Sequence, residues 1–484
     1  VYKRQNHCYA NEANSQFGSL MTSKLRIAHN SYFPLIILFL LLFCWPTAFL
    51  VGQTEEEESE EKLERLEETR RQTILYGIDS QVEELIKELK EEQNDGFNDA
   101  LVELFQNSNN ENLRRRVLDF FLTLEDDRLR KSAQSMLERW EEYGANTVSE
   151  LIRYLENFQN EEITELFFEI LDEPNSSIAS RALRAIGKAK TARLEYSQRL
   201  LDYKDDENFR PQLEGELIAA LGALESPEAV EYVADIALDE DRESSLRWRA
   251  CQALGDIGGE DAFKAVRELL NSDDTYLRAY AVGALAGFEN QDVVDVLIDA
   301  LRDGFWRVRV QAARALGELQ AREAVEILEY KARQDPDVRN VRLAAVKALG
   351  AMDQPEAYEI LRDLLGDEKA NPLLRQEAAR LLVENDLSES LDDITKLIER
   401  EWDKEKPIML DYLCKQLSTT RDKSLSDLYR KMLSHPKLIN LHLYGLRGIR
   451  LNGLSGLKED VEKLTDKKYA RSVRQLAQSV LEQL

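Results

Sequence analysis

One phrase recurs through the middle of the chain and restricts the fold more than any other feature. It reads Leu246-Arg247, Ala250, Ala253-Leu254-Gly255. It returns as Leu277-Arg278, Ala281, Ala284-Leu285, then as Val308-Arg309, Ala312, Ala315-Leu316-Gly317. A further copy is Val341-Arg342, Ala345, Ala348-Leu349-Gly350. The steps are 31, 31 and 33 residues by subtraction. A fixed period of this length marks a stacked array, in which each unit covers the apolar face of its neighbour.

Copies extend outward from this centre. Leu113-Arg114 with Val117, Ile178 with Ala182, and Leu213 with Leu217 precede it; Leu374-Arg375, Leu441 and Val473-Arg474 follow it. Units around Val148 and Ile408 lack the Arg and the Ala pair. The spacing predicts about twelve units. Each divides into two helices, with Asp292 to Leu301 as one first helix and Val308 to Gly317 in its second. The apolar sets follow helical i, i+3, i+4, i+7 spacing from Val82 onward, and no useful strand alternation appears. The Gly closing the phrase is expected at a helix C-terminus, where positive φ is required.

The Leu/Val-Arg-x-x-Ala-x-x-Ala-Leu-Gly phrase with its Asp-bearing turns resembles the HEAT-repeat family in its short bacterial form. The resemblance covers residues 80–484 and is clearest over 213–382. It implies an all-α fold, an α-solenoid or superhelix of stacked antiparallel helix pairs. It also implies second helices on the concave face and a role in protein–protein interaction.

The N-terminus reads as an address. Residues 1–20 resemble upstream sequence, with Met21 as the expected start. Lys24 and Arg26 precede the apolar run Pro34 to Cys44, and Glu55 to Glu58 follow it. Residues 21–53 therefore predict a signal peptide, with cleavage near Gly52 or Gln53. An uncleaved membrane tether through residues 32–51 and lipid attachment at Cys44 are the alternatives. Each puts the array outside the cytoplasm, in the periplasm or cell envelope. The acidic residues 54–79 are expected as a spacer, and residues 80–484 as the solenoid.

Charge narrows the partners. The 91 acidic residues outnumber the 64 basic ones, for a net −27. Such a chain repels nucleic acid, which is bound chiefly through phosphate neutralisation. A DNA-glycosylase-like or bilin-lyase-like repeat enzyme is the alternative to a scaffold. It is disfavoured by the acidity, the export signal and the want of a catalytic constellation. His435 and His442 are seven apart, off the i, i+4 spacing of a metal pair, and there is no glycine-rich phosphate loop. No cofactor or metal is expected. Cys251 and Cys414 are about five repeats apart, too far for a disulfide.

The recurring Arg247, Arg278, Arg309, Arg342, Arg375 and Arg474 are expected to pair with turn aspartates such as Asp273, Asp303 and Asp335, as a structural ladder. The position six past each phrase start faces away from the apolar set. There Arg314, Lys347 and Arg380 place a basic residue in three consecutive units. Trp248, Arg249, Tyr276 and Trp306 lie near the same helix starts. Together these seven predict a groove for a protein partner, with an acidic peptide or acidic surface as its occupant.

Overall fold

The recurring phrase folds as one helix per unit, and these helices lie side by side. The computed structural model describes residues 61–172, 175–206, 209–405 and 407–484. Among them, helices are the only regular elements, α-helices with short 3-10 turns and one π turn. Two compact units divide the chain, one up to Leu104 and one from Phe105 to Leu484. The boundary falls within the helix Asn98–Asn107.

In the larger unit twelve second helices form a continuous stack, from Glu111–Thr123 to Arg471–Leu481. The stack runs unbroken through Ala145–Leu155 and Ile408–Leu417, the two units whose sequence departs from the phrase. Residues 105–484 are thus an α-solenoid of antiparallel helix pairs. The core is the seam between layers: Leu277, Ala281, Val282 and Leu285 of one helix are buried, as are Val308, Ala312, Ala315 and Leu316 of the next. No helix among the described residues is long and apolar enough to cross a membrane.

The expected signal peptide, tether and lipidation site lie outside the described residues. Of the stretch expected as a spacer, residues 61–76 are helical. Ile74 is buried there, and Arg70 makes a bidentate ion pair with Glu92 at 2.7 and 2.8 Å. The helical packing therefore begins before residue 80, because Ile74 supplies an apolar contact that the surrounding charge obscures.

The phrase glycines do not sit in the left-handed region. Gly222, Gly317 and Gly350 lie inside helices, and positive φ falls three residues later, at Glu225, Gln320 and Asp353. What these glycines provide is close approach. A Cβ on Gly222 would lie 2.9 Å from the Ala253 Cα, and one on Gly317 would lie 2.8 Å from the Ala348 Cα. The expectation of a C-terminal cap is corrected accordingly. The small residues are there so that successive helices can touch backbone to side chain.

The arginine ladder has two parts. The guanidinium groups bond carbonyls at the end of the preceding helix or in the turn after it: Arg247 donates to Ala237 O and Arg375 to Leu365 O, at helix ends, and Arg278 to Ser272 O, in a turn. Two also reach forward to the next unit. Arg278 holds Asp303 at 2.8 and 3.0 Å, and Arg309 holds Asp335 with two bonds of 2.9 Å. Asp273 takes no such bond; its charge acts on Arg278 only at longer range. A π turn at Val338–Arg342, beside Asp335, falls within the 33-residue step.

Candidate functional site: an aromatic groove across three repeats

The second helices Ser244–Ile257, Thr275–Leu285 and Trp306–Glu318 flank an open groove of about 620 Å³. Its floor is the middle helix and the turn after it, where Ala279, Gly283 and Gly287 present only small or absent side chains. Gly283 is exposed and lies in the last turn of the helix, and a Cβ there would meet nothing within 4 Å. Glycine at such a position costs about 0.5–1 kcal/mol relative to alanine. No packing demand offsets that cost, so the clearance itself is what glycine supplies.

Aromatic rings close one end. Trp248 donates from Nε1 to Asp274 Oδ2 at 2.8 Å, and Asp274 also caps the middle helix through the amides of Tyr276 and Leu277. Burial opposes ionisation of Asp274, but these donors outweigh it and hold its carboxyl below the usual value. Thus fixed, the Trp248 ring stacks on Tyr280 at 5.5 Å and tilts against Tyr276 at 5.7 Å. Tyr276 meets Phe305 edge-on at 5.3 Å. Arg307 lies over Trp306 at 4.4 Å and over Tyr276 at 5.3 Å. Its cation is held by ring faces.

Several polar groups of the groove keep their hydrogen-bonding capacity free of the fold. The side chains of Gln252, Asp256, Tyr280, Arg307 and Gln311 make no hydrogen bond or ion pair within the described residues. Partial desolvation raises the Asp256 pKa, and the nearby Glu225 carboxylate acts in the same direction. The neighbouring surface is different, because its charges are mostly satisfied within the fold.

Of the residues singled out from the sequence, Tyr276 and Trp306 line this groove, and Trp248 stands behind it, against the rings of Tyr276 and Tyr280. Arg249 does not line it; it turns to Glu216 of the preceding repeat, at 3.0 Å. Arg314 is exposed next to the groove but pairs with Glu318 at 2.7 Å. Arg380 is two repeats further on and clamped between Glu377 and Glu384. Lys347 is exposed and makes no ion pair among the described residues. The basic column therefore carries less free charge than its sequence implies. Sequence reasoning missed Tyr280, Arg307, Gln311 and Asp256. Tyr280 and Gln311 share a signal, since both lie three past a phrase start on the face that the apolar set leaves open.

Other candidate groups are structural. Cys251 and Cys414 are buried free thiols, each pushed up to about 12 by burial. His435 and His442 are buried, and His442 Nε2 donates to the His435 carbonyl at 2.7 Å. No three His, Cys, Asp or Glu side chains among the described residues are placed to hold a metal ion.

Comparison with known proteins gives three kinds of likeness. Deoxyhypusine hydroxylase of Drosophila melanogaster is 28% identical over 115 residues, 23% of this chain. The chain spans 38% of that relative's length. Among solved structures, karyopherin Kap121p bound to the SUMO protease Ulp1p is 13% identical, with a TM-score of 0.41, over 85% of this chain and 52% of that one. Kap95p, in a structure with RanGDP, is 12% identical with a TM-score of 0.44, over 85% and 66% of the two chains. A family model for spirochaete HEAT repeat proteins matches residues 74–480, which is most of the chain and includes the whole groove. With its phrase, its stacked helix pairs and this match, the chain belongs to the spirochaete HEAT repeat protein family.

Proposed function

We propose that the protein is an exported, non-enzymatic scaffold that captures a protein partner in the groove between Ser244–Ile257 and Trp306–Glu318. The observation that carries this is the lining: unengaged polar side chains around an aromatic end, over a floor that Gly283 keeps clear. Pockets that bind ligands combine apolar walls with a few polar groups left to fix orientation. Tyr, Trp and Arg are also the side chains that dominate interface energetics.

A repeat-fold enzyme is the alternative. It draws on the partial likeness to deoxyhypusine hydroxylase, which is confined to 23% of this chain. The groove lining contains no Ser, Cys, His or Lys to act as nucleophile or base partner, and its one carboxylate is Asp256. Binding chemistry fits that set better than group transfer.

Filling the floor tests the proposal. Gly283→Trp should abolish partner capture from the protein's own cells while leaving the helical circular dichroism unchanged and the unfolding midpoint no lower. Tyr276→Ala with Trp306→Ala should weaken capture at least tenfold, the loss of two aromatic anchors at about 1–2 kcal/mol each. Capture undiminished in both variants would move the binding surface elsewhere. Export rests on residues 21–53 and is tested separately. Intact-mass measurement of the protein from its own cells should give a chain beginning near Thr54; a start at Met21 would mean an uncleaved tether.

A further inference from the structure

The two charges of the groove stand at opposite ends and on opposite walls. Arg307 is at the start of the helix Trp306–Glu318, whereas Asp256 is at the end of the helix Ser244–Ile257. The helix Thr275–Leu285 runs between them. Neither charge is matched by an ion pair within the fold. Arg249, Arg314 and Arg380, by contrast, are each paired with a glutamate. Gln252 and Gln311 lie on the two walls between these charges, and their amides are also unengaged. A glutamine amide carries donors and an acceptor, the complement of a peptide group. Ala279, Gly283 and Gly287 let a main chain approach the floor, and Tyr280 offers a ring face to a passing side chain.

Taking the groove as the docking site, we infer that its occupant is an extended peptide segment of mixed charge, with an acidic residue at the Arg307 end and a basic residue at the Asp256 end. The span sets the spacing. Neighbouring helices lie ~10 Å apart and rise ~1.5 Å per residue, so the diagonal between the two backbones is roughly 25 Å. Side chains reaching inward from both walls leave roughly 15 Å, which an extended peptide covers in about five residues. This departs from a purely acidic partner. With Arg314 and Arg380 paired to glutamates, the groove lining itself carries one cation and one carboxylate, not a basic stripe.

The experiment is a selection of displayed random dodecapeptides on the immobilised full chain, followed by fluorescence polarisation with the tightest selected peptide. Selected peptides should share an acid and a base about five residues apart, in one fixed order. Arg307→Glu and Asp256→Lys should each weaken that peptide about tenfold or more, as like charges come face to face. The double variant should prefer the peptide with its two charges exchanged. All three residues altered in these tests are exposed, and unchanged melting curves establish that each variant is folded. If Gly283→Trp leaves peptide binding intact, the peptide sits elsewhere and the docking site falls with the inference. If Gly283→Trp abolishes binding but the charge variants do not alter it, the site stands and the charge pattern is wrong. Enrichment of peptides bearing acids alone, or no enrichment, also overturns the inference.

Discussion

Asp335→Ala should cost the array about 3–5 kcal/mol, concentrated in the repeats on either side of the substitution. Asp335 is 2% exposed, and Arg309, its bidentate partner, is 7% exposed. Removing the carboxylate leaves a guanidinium buried with only the Asp303 and Gly304 carbonyls to hold it. Asp335 has further duties, since its Oδ1 accepts from the Asp337 amide at 3.0 Å and thereby shapes the entry to the π turn. Asp335→Asn retains that acceptor and should lose less. Lys331 also pairs with Asp335, at 3.4 Å, so the triple variant Arg309→Met, Lys331→Met and Asp335→Leu removes the carboxylate together with both its cations and should recover much of the loss, because a buried ion pair contributes little beyond its apolar replacement. A solenoid repeat touches only its neighbours, so the damage is local. Amide hydrogen exchange should accelerate in the helices Trp306–Glu318 and Val325–Gln334 while the terminal repeats stay protected. Uniform acceleration along the array would contradict a local rung.

The same pair makes a pH prediction. Burial alone would raise the Asp335 pKa, but the Arg309 bonds outweigh it and hold the carboxyl below its ordinary 3.8. A depressed carboxylate contributes stability that is present above the ordinary value and is lost as pH falls through the folded one. Exchange in these helices should therefore rise below about pH 4 in the native chain. The charge-free triple variant should lack that rise.

The array was legible because it repeats. Four copies of one phrase fix the helix pairs, and a helix carries its apolar positions whether or not each copy keeps its Arg or Ala. Hence the units at Val148 and Ile408 stack in register despite their departures. The groove was only half legible. Trp248, Tyr276 and Trp306 announce themselves by type, whereas Gln252, Gln311 and Asp256 matter because nothing in the fold engages them. Absence of a partner is a three-dimensional property. The basic column failed in a different way. Glu318 and Glu384 lie four residues beyond Arg314 and Arg380, a helical neighbour spacing that already predicts their pairing. Glycine was the hardest residue to assign, because one letter serves a left-handed turn, a close helix contact and an open floor alike.

Two glycines inside adjacent stacked helices should respond with opposite signs to the same substitution. Gly317→Ala should destabilise by about 1–3 kcal/mol, and Gly283→Ala should stabilise by about 0.5–1 kcal/mol. Both lie in the last turn of their helices, so both gain similar helix propensity and the same reduction in unfolded-state entropy. They differ in what the methyl group meets. At Gly317 it would stand 2.8 Å from the Cα and 3.2 Å from the O of Ala348, backbone atoms that cannot swing aside. The helix Leu343–Ala351 would have to move bodily, opening the seam where Val346 and Leu349 are buried. At Gly283 the methyl group meets nothing within 4 Å. Denaturant midpoints of the two variants decide the matter, provided the transition slopes stay equal. Gly317→Leu should enlarge the loss, and Leu at Gly283 should remain tolerated by the fold while obstructing the groove. A destabilised Gly283→Ala would make that glycine a packing residue like the others. The floor would then be explained by folding alone, and the case for a ligand would rest only on the unengaged walls.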